Sequence, residues 1–265
     1  VKANAGLPDP VTNTYNVLPD EFADTCKEMV KYGAKVLGGC CGTTPAYVAK
    51  LKEMVATVNA SVVKKKPRQL AVCTPLKTVV VDQPRIVGER INPTGKKRFK
   101  QALRDNDMNY ILSQAIEQID AGADILDVNV GSPDIDEKEM MVKVIKALQA
   151  IVDVPLQIDS TKPEVLEAAL RVYNGKPIVN SVNGEEEVLD TILPIVAKYG
   201  GAVIGLALDE NGIPPTAEGR VEIAKRIRDK AMSYGIPKED IIIDCLTLTV
   251  SAEQKAAAET LKAMN

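Results

Sequence analysis

The chain has 265 residues, 45% of them apolar and 26% charged, with a formal net charge of -3. It is therefore long enough for a sizeable core and has no electrostatic bias toward nucleic acid or an anionic membrane surface. Two Phe and no Trp argue against base-stacking platforms, and the absence of His removes the usual general base, the commonest metal ligand and any imidazole triad.

Proton chemistry in such a chain falls to carboxylates, Lys, Cys or Tyr. No window approaches the roughly 20 apolar residues that span a bilayer, and the N-terminus lacks a signal-peptide pattern. Five cysteines without a disulfide-like framework fit a reducing compartment, so the expected location is the cytoplasm.

In chain order, residues 1–17 are rich in Pro, Asn and Thr and begin without Met, which reads as a piece cut from something longer. Asp20 is a candidate N-cap for a helix over 21–32, with Phe22, Cys26, Met29 and Val30 near helical spacing, and Gly33 ends it. A short strand at 35–37 runs into Gly-Gly-Cys-Cys-Gly-Thr-Thr-Pro and a helix over 45–58, one βα unit of a parallel architecture.

Residues 59–84 change character. The basic KKKPRQ run reads as linker, and LAVCTPLKTVVVD reads as a small hairpin able to cap the bottom of a barrel, which makes this the domain boundary. From Ile86 onward strands are expected near 86–91, 125–130, 155–159, 177–182, 202–208 and 240–246. Helices fill 97–121, 136–152, 163–173, 185–199, 216–234 and 252–264, with Gly122, Gly175 and Gly200 at helix ends. Six βα units at this pace match a (β/α)8 barrel that stops two units short.

The strands end in polar residues: Glu89 and Asn92, Asp127 and Asn129, Asp159, Asn180 and Asp244. A (β/α)8 enzyme keeps its site at the C-terminal ends of its strands, and Asp with Asn supplies paired acceptors and donors for a heterocycle. The competing reading is that each merely caps a helix or satisfies a turn; the collection of seven on successive strands favours the shared site. Cys40 and Cys41 could both ligate one zinc ion in a glycine-permitted turn, yet two thiols do not make a site. Cys26, Cys73 and Cys245 look like packing residues, so inert thiols stay open as the alternative.

GGCCGTTP, followed by GERINPTG, DVNVG, IDST and NSVNGE, resembles the cobalamin-dependent methionine synthases across nearly the whole chain. The resemblance implies a remnant of the homocysteine-binding zinc domain at 1–58, a linker with a barrel-bottom hairpin at 59–84, and an incomplete pterin-binding TIM barrel at 85–265. It further implies that Asp127, Asn129 and Asp159 act on the pterin ring of 5-methyltetrahydrofolate, with Glu89, Asn92, Asn180 and Asp244 around it. The N5 methyl would pass to the cobalt(I) of a corrinoid carried on a separate domain or protein, and then to homocysteine.

By the same resemblance Cys40 and Cys41 are two of three thiolate zinc ligands, the third lying before Val1, and an Asn near N5 lies beyond Asn265. Tyr47 stands where the family commonly has His, and without His there is no corrinoid-binding motif in the chain. A dihydropteroate synthase would share the barrel and the Asp/Asn pattern but would leave GGCCGTTP unexplained. A folate- or corrinoid-protein-binding module without catalysis is the third reading, and weak or no turnover is expected of the chain alone.

Overall fold

The computed structural model describes residues 1–59, 67–248 and 254–265, which divide into two compact units, Val1–Pro67 and Arg68–Asn265. The three lysines of the basic run expected as linker lie outside the described residues, as do the first two residues of the helix expected over 252–264. No helix among the described residues is long and apolar enough to cross a membrane.

The first unit runs β1 (Lys2–Ala3), α1 (Pro19–Lys31), β2 (Gly38–Gly39) and α2 (Pro45–Val55). Pro19 and Pro45 open the two helices at the position where the missing N–H costs nothing. The helices close over Ala5, Phe22, Ala23, Cys26, Tyr47, Leu51 and Met54, with Phe22 and Tyr47 edge to face at 5.4 Å between ring centres. Burial pushes the Cys26 thiol up, consistent with a packing role.

The strand expected at 35–37 forms instead at Gly38–Gly39. Its partner is Lys2–Ala3, in parallel register Lys2↔Gly38, within a segment whose composition reads as irregular. Pairing with that partner, which local composition does not reveal, moved the strand, and it left Val36 exposed.

The second unit opens with an antiparallel hairpin, β3 (Ala71–Cys73) and β4 (Thr78–Val80), followed by β5 (Val87–Ile91). Two helices come next, α3 (Lys97–Asp105) and α4 (Met108–Asp120), where one was expected over 97–121. Asn106 ends α3 in the left-handed region at φ 55°, and Asp107 starts α4 by accepting from the Tyr110 amide. The apolar periodicity runs through both helices and hides the break; the Asn-Asp pair is its only local sign.

The remaining order is β6 (Ile125–Val128), α5 (Glu137–Gln149), β7 (Leu156–Asp159), α6 (Pro163–Val172), β8 (Ile178–Val182), α7 (Glu186–Tyr199) and β9 (Ala202–Leu206). It closes with α8 (Ala217–Ser233), a 3-10 turn at Lys238–Asp240, β10 (Ile241–Asp244) and α9 (Gln254–Met264). β5 to β10 make one parallel six-stranded sheet in strict chain order, each strand beside its sequence neighbour. That succession of parallel strands and crossover helices is the path of a (β/α) barrel wall.

Alternation along these strands divides the sheet chemically. One face sends Leu126, Val128, Ile158, Val179 and Val203 into a core with Ile111, Met141, Ile145, Leu166, Leu193 and Ile227 from the helices. On the other face, Ile125, Ile178 and Ala202 at the strand starts pack with Val72 and Val79 of the hairpin and with Ile204 and Ile242. The hairpin thus plugs the N-terminal end of the sheet, held by two backbone bonds between Cys73 and Lys176 and by the Tyr173 hydroxyl, which donates to the Cys73 carbonyl at 3.0 Å. The same face further along the strands carries polar residues.

Candidate active site

Asp127 on β6 and Asn129 just past its end, Gln157 and Asp159 on β7, and Asn180 on β8 follow the two-residue pleat and so share the face above the plugged end. The register sets Asp127 beside Gln157 and Asp159 beside Asn180. Side-chain bonds then knit the three strands. Gln157 donates to Asp127 Oδ1 at 2.6 Å, Asn180 donates to the same oxygen at 3.3 Å, and Asn129 donates to Asp159 Oδ2 at 2.9 Å. Asn129 Oδ1 in turn accepts from the Gly131 amide at 2.8 Å.

Asp127 is 2% exposed, and its second oxygen, Oδ2, is buried without a hydrogen-bond partner among the described residues. Burial first, and the charge of Asp159 second, push its carboxyl up to about 6, against the bonds from Gln157 and Asn180. Burial also raises Asp159, opposed by the Asn129 donation and reinforced by Glu89 and Glu137. An unpaired buried carboxylate oxygen is costly, and a ligand N–H or a shared proton would satisfy it.

The other expected residues stand apart from this cluster. Glu89 lies where the β5–β6 register slips between Gly88 and Ile91; its carboxylate pairs with Lys96 at 3.1 Å, and its charge reaches Asp127 and Asp159. Asn92 is buried and uses Oδ1 in its own turn, accepting from the Thr94 amide at 2.8 Å. Asp244 ends β10, separated from Asn180 by β9, and accepts from the Leu246 amide at 2.8 Å. For Asn92 and Asp244 the turn role weighed from sequence is present in the structure.

Gln157 is the residue that sequence reading passed over. Its signal is a lone polar side chain in Pro-Leu-Gln-Ile-Asp, two positions before Asp159 and so on the same face. Ser160 stands at the expected tip of its strand, but its link and that of Lys162 to Glu137 beside the cluster are not legible in the sequence, because Glu137 is distant along the chain.

In the first unit Cys40 and Cys41 follow β2 in a turn closed by the Thr43 hydroxyl on the Cys40 carbonyl at 2.6 Å, with Gly42 at φ +80°. Both thiols are exposed and their sulfurs lie 3.9 Å apart. Two thiolates on one tetrahedral zinc, each at about 2.3 Å, would be about 3.8 Å apart, so the pair fits the ion. Among the described residues no group of three or more His, Cys, Asp or Glu is placed to hold a metal.

A family model described as pterin binding enzyme matches residues 88–265, and one described as homocysteine S-methyltransferase matches residues 1–55. The methionine synthase of Mycobacterium leprae is 33% identical over 284 residues, covering 100% of this chain and 24% of that protein. That of Mycobacterium tuberculosis is 33% identical, covering 100% of this chain and 23% of the relative. The chain thus spans about a quarter of the length of the curated relatives it matches. Among solved structures, Xanthomonas albilineans dihydropteroate synthase in complex with 7,8-dihydropteroate aligns at a TM-score of 0.55 and 20% identity, over 74% of this chain and 72% of that one. This likeness confirms the expected barrel-type fold of the second unit. With the family model matched over most of its length, the chain belongs to the pterin-binding enzyme family.

Proposed function

We propose that residues 85–265 bind 5-methyltetrahydrofolate by its pterin ring and present its N5 methyl group to the cobalt(I) of a corrinoid held by another domain or protein. The methyl would pass on to homocysteine, as in a cytoplasmic methionine synthase of which this chain is a part. The observation that carries the reading is the bonded Asp127–Gln157–Asn180 and Asn129–Asp159 cluster with one buried carboxylate oxygen left open.

A pterin offers adjacent N–H donors and ring acceptors in one plane. In this reading Asp127 Oδ2 and the Asp159 carboxylate are the acceptors for such an edge, with the Asn129 and Asn180 carboxamides holding those carboxylates in position. When methyl leaves N5 as a cation equivalent, the bonding pair stays on nitrogen and a proton must be supplied. A carboxyl kept up to about 6 can share one near neutral pH.

Isothermal titration of the 265-residue chain with 5-methyltetrahydrofolate tests this. Saturable binding lost in both Asp159→Ala and Asn129→Ala supports the reading. No binding by the wild type, or equal affinity in all three proteins, overturns it.

For residues 1–58 the family match favours homocysteine chemistry, with Cys40 and Cys41 as two zinc ligands and the third outside this chain. Zinc would supply Lewis-acid stabilisation of the homocysteine thiolate. The chain's own residues set the two sulfurs at ligand spacing. Zinc should bind the chain weakly, more tightly with added homocysteine, and not at all in Cys40→Ala/Cys41→Ala. Retention of zinc by the double variant would refute the assignment.

A further inference from the structure

Glu137 is the first residue of α5, where an acidic side chain is ordinarily a solvent-exposed partner of the helix dipole. Glu139, one turn position on, is of that kind and exposed. Glu137 differs. Its side chain is 10% exposed, and both oxygens engage a different loop, the one that follows β7. Oε1 accepts from the Ser160 hydroxyl at 2.6 Å and Oε2 pairs with Lys162 at 2.9 Å.

Ser160 is itself buried and fixed twice more, donating its amide to the Asn180 carbonyl at 3.0 Å and accepting from the Lys162 amide at 3.2 Å. Asp159, the preceding residue, carries the carboxylate bonded to Asn129. Two links therefore join the C-terminal ends of β6 and β7: Asn129 to Asp159 at the strand tips, and Glu137 at the start of α5 to Ser160 in the loop after β7.

We propose that Glu137 is a positioning residue of the pterin site, holding the Asp159–Ser160 tip of β7 against the Asn129–Gly131 tip of β6 through Ser160. The inference rests on the pterin reading given above and extends it to a residue outside the ring-contacting set. Its charge has a second, separable effect. The charges of Asp127 from β6, Glu89 from β5 and Glu137 from α5 act around Asp159, Lys162 of its own loop pairs with Glu137, and Glu137 is one of the two carboxylates that raise Asp159.

Three variants of the full chain separate the effects. Glu137→Ala loses the bond and the charge; 5-methyltetrahydrofolate affinity by titration calorimetry should fall about tenfold, the scale of one lost charge-assisted hydrogen bond. Glu137→Gln keeps an oxygen for Ser160, so affinity at pH 8 should stay within about twofold of wild type, while the Asp159 carboxyl followed by carbon-13 NMR titrates at lower pH. Ser160→Ala should match Glu137→Ala in affinity and leave the Asp159 titration in place.

Equal affinity of wild type and Glu137→Ala would overturn the proposal. So would an affinity of Ser160→Ala equal to that of the wild type. If the wild type shows no binding, the pterin reading fails, and positioning is judged on amide exchange alone. Faster exchange at 129–131 and 160–162 in Glu137→Ala, with β9 and β10 unchanged, then sustains it, and identical exchange overturns it.

Discussion

Replacing Asp127 by Asn should remove the pH dependence of stability that this one carboxyl imposes. Its acid form is favoured in the folded protein, since burial and the Asp159 charge raise it from 3.8 to about 6. Folding is therefore unaffected by the group at low pH, and stability is lost as pH rises from about 4 through about 6. At 1.36 kcal/mol per pH unit the full loss is about 3 kcal/mol by pH 8, and only about 0.5 kcal/mol of it is present at pH 4.

Asn keeps the oxygen that Gln157 and Asn180 bond, and it puts an unpaired amide where Oδ2 is now unpaired, at a pH-independent cost of about 1–2 kcal/mol. Asp127→Asn should thus be the less stable protein at pH 4 and the more stable at pH 8, the difference shifting by about 2.5 kcal/mol. Urea unfolding at the two pH values measures it, with pulse-labelled hydrogen exchange of peptides from β6 to β8 assigning the transition to this unit. Parallel profiles, with the same offset at pH 4 and pH 8, would refute the burial argument.

Three further outcomes concern the plugged end of the sheet. Asp240, 1% exposed, binds Lys176 at 2.5 Å and Arg68 at 3.0 Å, so Asp240→Ala strands a mostly buried ammonium. It should cost about 2–4 kcal/mol in urea unfolding; a loss below about 1 kcal/mol would show the pair contributes nothing. Tyr173→Phe removes the hydroxyl that accepts from the Leu156 amide at 3.2 Å and donates to the Cys73 carbonyl. A loss of about 1–3 kcal/mol with faster exchange at Leu156 is expected, and unchanged exchange there would contradict the role of that bond. Gly175 sits at φ +142°, and a Cβ there would lie 2.1 Å from the Cys73 carbonyl oxygen, whereas Gly122 at φ +99° faces open space. Gly175→Ala should therefore destabilise by about 3 kcal/mol or more and Gly122→Ala by about 1–2 kcal/mol; equal midpoints for the two variants would rule out the clash.

The sequence by itself determined the succession of strands and helices from Ile86 onward, the hairpin beneath them, and Asp127, Asn129, Asp159 and Asn180 as the polar face. Each rests on a local cause: a two-residue or helical period, a Pro at a helix start, or a turn residue after a strand. Which strand-end groups work together was decided only in three dimensions. Register put Gln157 against Asp127 and Asp159 beside Asn180, and burial left Asp127 Oδ2 unpaired.

The same register left Asn92 and Asp244 bonded within their own turns. The parallel pairing of Lys2–Ala3 with Gly38–Gly39, the break at Asn106 and the Glu137–Ser160 link likewise escaped the linear reading. A one-dimensional pattern records what each residue prefers locally. A long-range partner costs closure entropy and leaves no periodic trace, so only the folded chain reveals it.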